Sequence, residues 1–370
     1  MQHGHGAIVH EWIERSGGAE RVLDAISRAL PQADIFALWN DDAERYPRQV
    51  HQSWIARTPL RRHKAAALPL LLPTWRRLRS RSRYDWMIVS SHLFAHHARF
   101  VDQPDLPKFV YAHTPARYVW TPHLDERGKG MLAKSASHWL RPIDKARASE
   151  AVAIAANSEY VRLRINHAWE RDAEVIYPPV DVDRISGRSW AGALTGSEQA
   201  LLDGLPSEFI LGASRFIPYK RLDLVIDAGA RLGQPVVIAG SGPLEERLRE
   251  HARQAGTPAT FIISPSDSLL YALYERATAF VFPAVEDFGI MPVEAMAAGC
   301  PVVAVNMGGA SETVVEGISG AKSDDQTAGS LASAFERASV LDRALIPRSV
   351  RRFASERFEN EILGWMEARL

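Results

Sequence analysis

The sequence predicts an α/β protein of two domains, each built on a parallel β-sheet with helices on both faces. Three observations support this fold class. The length of 370 residues suits two domains of ordinary size. Short Val-, Ile- and Phe-rich segments alternate with amphipathic stretches along the whole chain. A segment without periodicity interrupts this alternation near the middle.

The predicted strands are short apolar runs bounded by glycine, proline or serine, as expected for strands buried on both faces. In the first half they cover residues 6–12, 33–38, 85–91, 108–113, 151–158 and 173–178. In the second half they cover residues 207–214, 234–240, 259–264, 278–283 and 301–305. Eleven strands exceed the usual width of one sheet, so two Rossmann-like domains are favoured over one large doubly wound sheet.

The boundary between the domains is predicted within residues 177–196, where two prolines and several glycines follow one another without a period. The domains are therefore expected over 1–180 and 181–352. Residues 353–370 carry apolar side chains at helical spacing and form either a last helix of the second domain or a strap back to the first. Ligands of such sheets bind outside the carboxyl ends of the strands, so both crevices are expected to open into one interdomain cleft.

The composition fits a globular protein with an uneven charge distribution. Residues 1–184 carry 27 Lys and Arg against 21 Asp and Glu, and residues 185–370 carry 17 against 23. The basic half is expected to face an acidic partner or surface. The single cysteine, Cys300, excludes an internal disulfide and favours a reducing compartment, so a cytoplasmic location is expected. The N-terminus lacks a signal-peptide pattern, and the apolar run 65–73 is too short to span a bilayer.

A basic stretch covers residues 48–83, with ten Lys and Arg and no acidic residue. Tryptophan and leucine alternate with these cations, which is typical of a surface that binds anionic lipid. The stretch thus indicates a peripheral protein at the inner face of the membrane, and a solvated basic face is the alternative. Nucleic-acid binding lacks a supporting motif.

Two carboxylates flank a predicted helix start in FPAVEDFGIMPVEAMAAGCP, residues 282–301. A helix N-terminus offers unpaired N–H groups and a positive dipole end, which favour an anion or polar hydroxyls in front of it. Glu294 can accept both hydroxyls of a ribose, and Glu286 can accept a sugar hydroxyl. Exposed acids that complement the helix dipole are the alternative.

Two cations follow the first strand of the second half. Arg215 offers a planar fork for phosphate oxygens, and Lys220, expected just inside a helix, offers a point charge. Both are predicted at the carboxyl end of that strand, where they would meet a phosphate. Two solvated surface cations are the alternative.

Further candidates follow other strands. Gly17 and Gly18 open a helix and allow close approach of a ligand, although the spacing is not G-x-G-x-x-G, and Glu20 is expected to cap that helix. His113 ends a strand and is either structural or a hydrogen-bond donor to a sugar. Gly240 belongs to a G-S-G-P turn near the ligand.

Together these segments resemble the retaining GT-B glycosyltransferases of family 4. The resemblance covers nearly the whole chain and is carried by E-D-F-G-I-x-P-V-E-A-x-A-x-G-x-P-V-V-A, by R-F-x-x-Y-K-R-L-D-L and by Y-P-P-V-D. The early H-E-W…G-G-A-E-R-V and Y-A-H-T-P-A-R-Y-V-W look like the bacterial mannosyltransferase-like members that assemble polysaccharides and glycolipids.

The resemblance implies a role for each matching residue. Arg215 and Lys220 would hold the donor diphosphate, Glu294 the ribose, and Gly18 the diphosphate from the N-terminal domain. Glu286 would hold the transferred sugar together with the amides of Phe288, Gly289 and Ile290, and His113 would touch that sugar. The wider donor site would include Gly17, Gly240, Ile263, Ser264 and Met291, and the acceptor site Arg117 and Tyr118.

The resemblance also implies the reaction. A hexose, with mannose favoured, would pass from a nucleoside-diphosphate sugar, with a GDP-sugar favoured, to a glycan or lipid-linked acceptor with retention at the reacting carbon. No metal cofactor is expected: Asp181-Val-Asp183 resembles a metal-binding D-x-D but lies in the predicted linker, as interdomain structure. The alternatives are a nucleoside-diphosphate-sugar epimerase or another enzyme of this fold without a sugar acceptor. A non-catalytic binding protein is disfavoured by the complete Glu, Arg and Lys set.

The chain departs from the family at one place. Where relatives often have F-L-G-R-V-S-D, residues 261–267 read F-I-I-S-P-S-D, so that Ile263 and Ser264 replace the glycine and the arginine. This segment lies beside the expected base pocket.

Overall fold

The computed structural model describes residues 4–15, 17–121 and 131–370, apart from the side chains of residues 65, 118 and 131–136. The chain forms two compact units. Unit 1 contains Met1–Pro179 and Glu356–Leu370, and unit 2 contains Val180–Ser355.

Unit 1 is built on a seven-stranded sheet in the order β3-β2-β1-β4-β5-β6-β7, and every pairing in it is parallel. The strands are β1 Gly6–His10, β2 Asp34–Ala37, β3 Val50–Gln52, β4 Trp86–Ser91, β5 Lys108–Ala112, β6 Ala153–Ala156 and β7 Glu174–Val175. The central strands are buried over their whole length, as their apolar sequences predict.

Unit 2 has a six-stranded parallel sheet in the order β10-β9-β8-β11-β12-β13. The strands are β8 Ile210–Arg215, β9 Val236–Ser241, β10 Ala259–Ile263, β11 Ala279–Phe282, β12 Val302–Val305 and β13 Gly320–Ser323. The predicted fold class is therefore confirmed: each half of the chain forms its own parallel sheet. All eleven predicted strands are present.

Two strands were missed, and both lie at sheet edges. Val50–Gln52 has three half-buried or exposed residues, and Gly320–Ser323 is made of small and polar residues. Neither segment contains an apolar run, because an edge strand needs only one hydrogen-bonded neighbour and less burial than a central strand.

Helices cover both faces of each sheet. Those of unit 1 are α1 Gly18–Ala29, α2 Lys64–Trp75, α3 Arg117–Trp120, α4 Met131–Ala148, α5 Glu159–Trp169 and, at the chain end, α15 Ser355–Glu367. Those of unit 2 are α6 Val182–Ser186, α7 Gly196–Asp203, α8 Leu222–Leu232, α9 Glu245–Ala255, α10 Asp267–Arg276, α11 Ile290–Ala297, α12 Ala310–Thr313, α13 Ala328–Ala338 and α14 Ile346–Ser349. Within the described ranges, every helix is too short or too polar to cross a membrane.

The final helix α15 packs on the sheet of unit 1. The ring of Trp365 lies 5.3 Å from that of Phe109, and the ring of Phe358 lies 5.6 Å from that of Tyr111, both edge-on. Phe353, by contrast, packs on Phe288 in unit 2. The chain therefore passes back to unit 1 at Glu356 rather than at residue 353.

The segment 180–196 of the predicted linker is instead a folded part of unit 2, because the boundary between the units follows Pro179. It contains α6, and its Trp190 is buried against Tyr271, with the two rings 4.6 Å apart. The indole N–H of Trp190 donates to the carbonyl of Ile185 at 2.9 Å. The segment is anchored by the buried residues Val182, Ile185 and Trp190, which are too few to give a clear period in the sequence.

Candidate active site

The sheet of unit 2 reverses its strand order between β8 and β11, which lie side by side in its centre. In open parallel sheets the crevice at such a reversal, at the carboxyl ends of the strands, is the usual ligand site. The segments after these two strands carry Lys220 and Glu286, and they bring the two side chains together.

The Lys220 ammonium contacts the Glu286 carboxylate through Nζ and Oε1. Lys220 is 6% exposed, and its Nζ also lies 5.3 Å from the ring centroids of Tyr219 and Phe282. The prediction that Lys220 lies inside a helix is wrong: it ends the 3-10 turn Pro218–Lys220, ahead of α8. A desolvated cation beside a carboxylate is a stronger electrostatic element than a solvated surface lysine.

Arg215 is the last residue of β8, and its side chain is exposed. Its guanidinium donates to the Tyr219 hydroxyl at 3.3 Å. Among the described residues it forms no hydrogen bond or salt bridge with Lys220 or Glu286. The planar fork therefore remains open to an incoming anion.

The segment after β11 leads through Glu286 to Gly289, the N-cap of α11. Gly289 has φ +100°, and a Cβ there would lie 2.9 Å from the Cβ of Ala310, so glycine is required by conformation and by space. Glu294 lies in α11 and is 4% exposed, and the Tyr271 hydroxyl lies 3.3 Å from its Oε1. Glu294 is therefore not a solvated acid that merely complements the helix dipole.

The residues at the start of α11 differ in exposure. Phe288 is buried against Phe353, with ring centroids 5.5 Å apart, while Ile290 and Met291 are half-buried. Ile290 and Met291 begin the helix, and their amides belong to the first turn, where N–H groups have no partner within the helix.

The carboxyl ends of β9 and β10 hold the remaining predicted donor residues of unit 2. Gly240 has φ +137°, and a Cβ there would lie 1.9 Å from the carbonyl oxygen of Ser214, so no side chain fits. The amide of Ser264 donates to the carbonyl of Gly240 at 2.9 Å, and Ser264 adopts φ +49°. Ile263 is 42% exposed and offers an apolar surface at this edge.

A glycine pair that sequence reasoning missed lies beside this site. The amide of Gly309 donates to the carbonyl of Glu286 at 2.7 Å. A Cβ on Gly309 would lie 2.1 Å from the carbonyl oxygen of Asp287, and Gly308 has φ +81°. The pair fixes the backbone that carries Glu286. The G-G dipeptide shortly after the last predicted strand could have indicated this close backbone contact.

The sheet of unit 1 reverses its order between β1 and β4, and imidazoles gather at the carboxyl ends there. Ser90 of β4 places its hydroxyl oxygen 3.1 Å from Nδ1 of His10 in β1 and 2.8 Å from Nε2 of His113, which follows β5. Sequence reasoning identified His113 and missed His10 and Ser90. The sequence feature that could have indicated these two residues is a polar residue at the carboxyl end of each apolar strand.

Burial governs the charge of these imidazoles. Burial, with the neighbouring His92 as a smaller contribution, lowers the pKa of His113 to about 3. Burial first, then His92 and His113, holds the pKa of His10 well below its ordinary value of 6.5. Both rings are therefore neutral at physiological pH.

Glu11 is a second buried group that the sequence did not single out. Its carboxylate is fully buried and accepts backbone N–H groups from one turn after β4, those of His92, Leu93, Phe94 and Ala95. Several backbone donors stabilise a buried carboxylate, and Nδ1 of His92 lies 3.6 Å from Oε2 of Glu11. Glu11 thereby fixes the segment after β4 to the segment after β1.

The glycines of unit 1 open α1 as predicted, with Gly17 as its N-cap. A Cβ on Gly17 would lie 2.1 Å from Oε2 of Glu20. Glu20 is buried and accepts the amide N–H of Glu14 at 3.2 Å, so its contact is to the preceding loop rather than a cap. A side chain at position 17 would therefore collide with the Glu20 carboxylate unless that carboxylate moved.

The predicted acceptor residues lie in α3 of unit 1. Arg117 is half-buried, and its carbonyl accepts the amide of Thr121 at 2.7 Å. The side chain of Tyr118 lies outside the described residues. Their acceptor role stays a prediction.

One group of side chains has the spacing of metal ligands. The potential ligand atoms of His96, His97 and Asp144 lie within 4.8 Å of one another, and all three residues are buried. Oδ1 of Asp144 lies 3.0 Å from Nε2 of His96 and 2.9 Å from Nε2 of His97. Its Oδ2 accepts the indole N–H groups of Trp120 and Trp169, both at 2.7 Å. Three hydrogen bonds, from His97, Trp120 and Trp169, thus hold this carboxylate, which is the arrangement of a buried structural anion.

The basic stretch 48–83 divides into an inward and an outward part. Leu71 and Trp75 of α2 are buried in the core of unit 1. A groove of about 510 Å³ lies at the β3 edge and is lined by apolar and cationic side chains, including Trp54, Leu70, Arg77, Arg79 and Arg81. Trp54 is 53% exposed. Most apolar side chains of the stretch therefore pack inward, and the surface is mainly cationic.

The comparisons with known proteins agree with this arrangement. The family model for glycosyl transferases group 1 matches residues 199–344, and that for glycosyltransferase family 4 matches residues 16–184. Together they cover most of both units. Each unit thus corresponds to one of the two glycosyltransferase family domains. The chain belongs to the family 4, group 1 glycosyltransferases, as the resemblance predicted.

Curated relatives match about half of the chain, and the chain spans about half of their length. The alpha-1,3/1,6-mannosyltransferase alg-2 of Neurospora crassa is 29% identical over 52% of this chain and 48% of its own. The GDP-mannose-dependent alpha-(1-6)-phosphatidylinositol monomannoside mannosyltransferase of Mycolicibacterium smegmatis is 32% identical over 55% and 56%.

Solved structures share the fold over nearly the whole chain. The sucrose-phosphate synthase of Thermosynechococcus elongatus superposes with a TM-score of 0.72 at 18% identity, covering 99% of this chain and 98% of its own. HepE of Anabaena, in complex with UDP, superposes with a TM-score of 0.71 at 19% identity, covering 98% and 100%.

The neutral imidazoles predict a stability that depends on pH. The unfolded chain takes up a proton on His10 near pH 6.5 and the folded chain does not, so stability is complete above this pH and is lost as the pH falls. We expect His10→Phe to make the decline of the unfolding free energy shallower by about 1.4 kcal/mol per pH unit between about pH 4.5 and 6. Urea unfolding at several pH values measures this.

The matched control is His167→Gln, at an exposed position on α5. Its slope should equal that of the unaltered protein. Identical slopes for His10→Phe and the unaltered protein would show that His10 is protonated in both states.

Proposed function

We propose that the protein is a retaining glycosyltransferase that moves a hexose from a nucleoside-diphosphate sugar to a glycan or lipid-linked acceptor. The observation that carries the proposal is the Lys220–Glu286 pair at the strand-order reversal of unit 2, in a chain of this family. Such a donor has a diphosphate at one end and sugar hydroxyls at the other. Lys220 can bind the phosphate, Glu286 can accept from the hydroxyls, and both lie at one crevice.

Lys220 and Arg215 have the chemistry to stabilise the leaving diphosphate. An ammonium has three N–H donors, so Lys220 can keep its contact to Glu286 and still bind a phosphate oxygen. Arg215 adds a planar fork from the end of the same strand. In the transfer, the bond from the sugar carbon to the diphosphate oxygen breaks and a bond to the acceptor oxygen forms. The acceptor proton passes to the leaving phosphate on the same face of the sugar.

The carboxylates are assigned to hydroxyl groups. Glu286 accepts from the transferred sugar beside the amides of Phe288, Gly289 and Ile290, and Glu294 accepts from the ribose. The contact of Tyr271 with Glu294 supports this role, because it holds a buried carboxylate in one orientation. In this proposal His113 donates a hydrogen bond to a sugar oxygen. Neither glutamate acts as the nucleophile.

The charge of the leaving group is assigned to protein cations, so we propose transfer without a metal cofactor. Donors aimed at developing charge in a water-poor site replace a metal ion in this respect. The burial of Lys220 supports this assignment, since a desolvated ammonium acts more strongly on a phosphate.

GDP-mannose is the proposed donor. Support comes from two relatives: alg-2 is a mannosyltransferase, and the name of the Mycolicibacterium smegmatis enzyme states GDP-mannose dependence. HepE, whose complex contains UDP, shares the fold at low identity, so it supports the site and leaves the base to be decided by experiment.

Replacing Lys220 by alanine tests the diphosphate role. We expect Lys220→Ala to lose about 3 kcal/mol of transition-state stabilisation, roughly a hundredfold in kcat, because a preorganised charge opposite the leaving group is removed. The assay follows the sugar of a radiolabelled donor into acceptor, free sugar or epimer. Incorporation into acceptor supports transfer, and an epimer without incorporation supports the epimerase alternative.

The control for this variant is Arg247→Ala, which removes an exposed cation of α9. It should keep full turnover, and circular dichroism should show both variants folded. Full turnover by Lys220→Ala would remove this lysine from phosphate binding.

A nucleotide panel tests the base. A ligand that binds only the folded state raises stability by mass action, by about 2.7 kcal/mol at a hundred times its Kd. In thermal-shift measurements we expect GDP to raise the Tm more than UDP or ADP at equal concentration. A larger shift with UDP or ADP would correct the donor and leave the transferase proposal standing.

We also propose that the basic stretch 48–83 binds anionic lipid and brings the enzyme to its acceptor at a membrane surface. The support is the cationic groove beside the exposed Trp54. Since each cation near an anionic surface contributes about 1 kcal/mol, Arg77→Glu with Arg81→Glu should weaken binding to phosphatidylglycerol vesicles roughly thirtyfold. Vesicle sedimentation at low salt measures the bound fraction.

The charge-matched control is Arg247→Glu with Arg348→Glu, two exposed positions of unit 2. Binding by this control should equal that of the unaltered protein. Equal loss in both double variants would assign binding to net charge alone, and no sedimentation of the unaltered protein would exclude the membrane proposal.

A further inference from the structure

Three side chains form a hydrogen-bonded row along the sheet edge of unit 1. The strands β1, β4 and β5 are neighbours, and they or the residues following them supply His10, Ser90 and His113 in that order. His10 is directly opposite Ser90, and Ser90 is opposite Tyr111, two residues before His113. Because side chains alternate along a strand, all three point to the same face of the sheet.

We propose that His10 and Ser90 are positioning residues that fix the tautomer of His113, leaving its Nδ1–H to donate to a substrate oxygen. The part concerning substrate rests on the proposed glycosyltransferase function. The tautomer itself is a property of the protein alone.

The donors and acceptors of this row determine where each hydrogen lies. A serine hydroxyl donates once and accepts up to two bonds, and a neutral imidazole donates from one nitrogen and accepts at the other. The Ser90 oxygen contacts the two rings and has no other partner among the described residues. Its hydroxyl proton must therefore go to one of the two imidazoles, since Ser90 is fully buried.

The direction is set at the His10 end. His10 is fully buried, and its Nε2 has no hydrogen-bond partner in the described part of the chain. If Ser90 donated to Nδ1 of His10, the ring proton would lie on Nε2, as a buried N–H without an acceptor. Orphaned buried N–H groups are rarer in proteins than unpaired acceptors. The proton of His10 therefore lies on Nδ1 and is donated to Ser90.

The remaining steps follow from this direction. Ser90 donates its proton to Nε2 of His113, so Nε2 is an acceptor and the ring proton of His113 lies on Nδ1. His113 is only half-buried, and its Nδ1 has no partner among the described residues. The row ends in one N–H donor at the carboxyl edge of the sheet, where ligands of such sheets bind.

Nitrogen NMR tests the tautomer without any substrate. Long-range ¹H–¹⁵N correlation on protein labelled at its 13 histidines distinguishes Nδ1–H from Nε2–H, and the His113→Gln spectrum identifies the signals of His113. We expect Nδ1–H for His113 near pH 7 in the unaltered protein. An Nε2–H or doubly protonated His113 there would overturn the proposal, whatever the variants do.

Two pairs of variants test the row itself. Ser90→Ala and His10→Phe should remove or weaken the Nδ1–H preference of His113. Ser90→Thr keeps the hydroxyl and His10→Asn keeps a donor near the Nδ1 position, so both should retain it. A wild-type His113 signal in Ser90→Ala would show that the tautomer is set elsewhere.

Activity provides the second readout. Ser90→Ala should lower kcat roughly tenfold with KM for the donor nearly unchanged, and Ser90→Thr should restore it; the loss should be smaller than that of His113→Ala, which removes the donor itself. A higher KM for the donor with kcat unchanged, or failure of Ser90→Thr to restore kcat, would overturn the functional part of the proposal. Absence of any transfer by the unaltered protein would refute the proposed function and leave the NMR result to decide the tautomer.

Discussion

The burial of both sheets on two faces is the constraint on which the rest of the structure depends. Strand β4 is buried at every residue and carries no charge, and the one charge of the buried strand β5 is Lys108 at its first residue, paired with Glu150. Polar side chains are thus largely confined to strand ends and the loops beyond them. In parallel sheets the carboxyl ends lie at one edge, where Lys220 and Glu286 in one unit and His10 and Ser90 in the other are found.

The two sheet edges stabilise their buried polar side chains in different ways. In unit 2 the pair Lys220–Glu286 holds opposite charges in contact, and a desolvated ammonium beside a carboxylate is stable because each compensates the other. In unit 1 the imidazoles are kept neutral by burial, and one hydroxyl joins two of them. The first edge suits a phosphate, and the second suits oriented hydrogen bonding to neutral hydroxyls.

The sequence predicted the fold because apolar runs identify central strands. It also selected Lys220 and Glu286, which the structure brings into contact at one sheet edge, and their donor-binding role stays a prediction. It missed features set by distant contacts. The edge strand Val50–Gln52 has no apolar run, the burial of Trp190 depends on Tyr271 far along the chain, and the pairing of His10 with Ser90 depends on strand register.

Register explains why the sequence identified His113 but not its connection to His10 and Ser90. His10 and Ser90 are 80 residues apart, and His113 is 23 residues beyond Ser90. A shift of one residue in the pairing of β1 with β4 would turn His10 to the opposite face and break the row. Close packing on both faces of these strands fixes the register, because the same shift would exchange the side chains that pack on each face. The packing that stabilises unit 1 therefore also determines which nitrogen of His113 carries the proton.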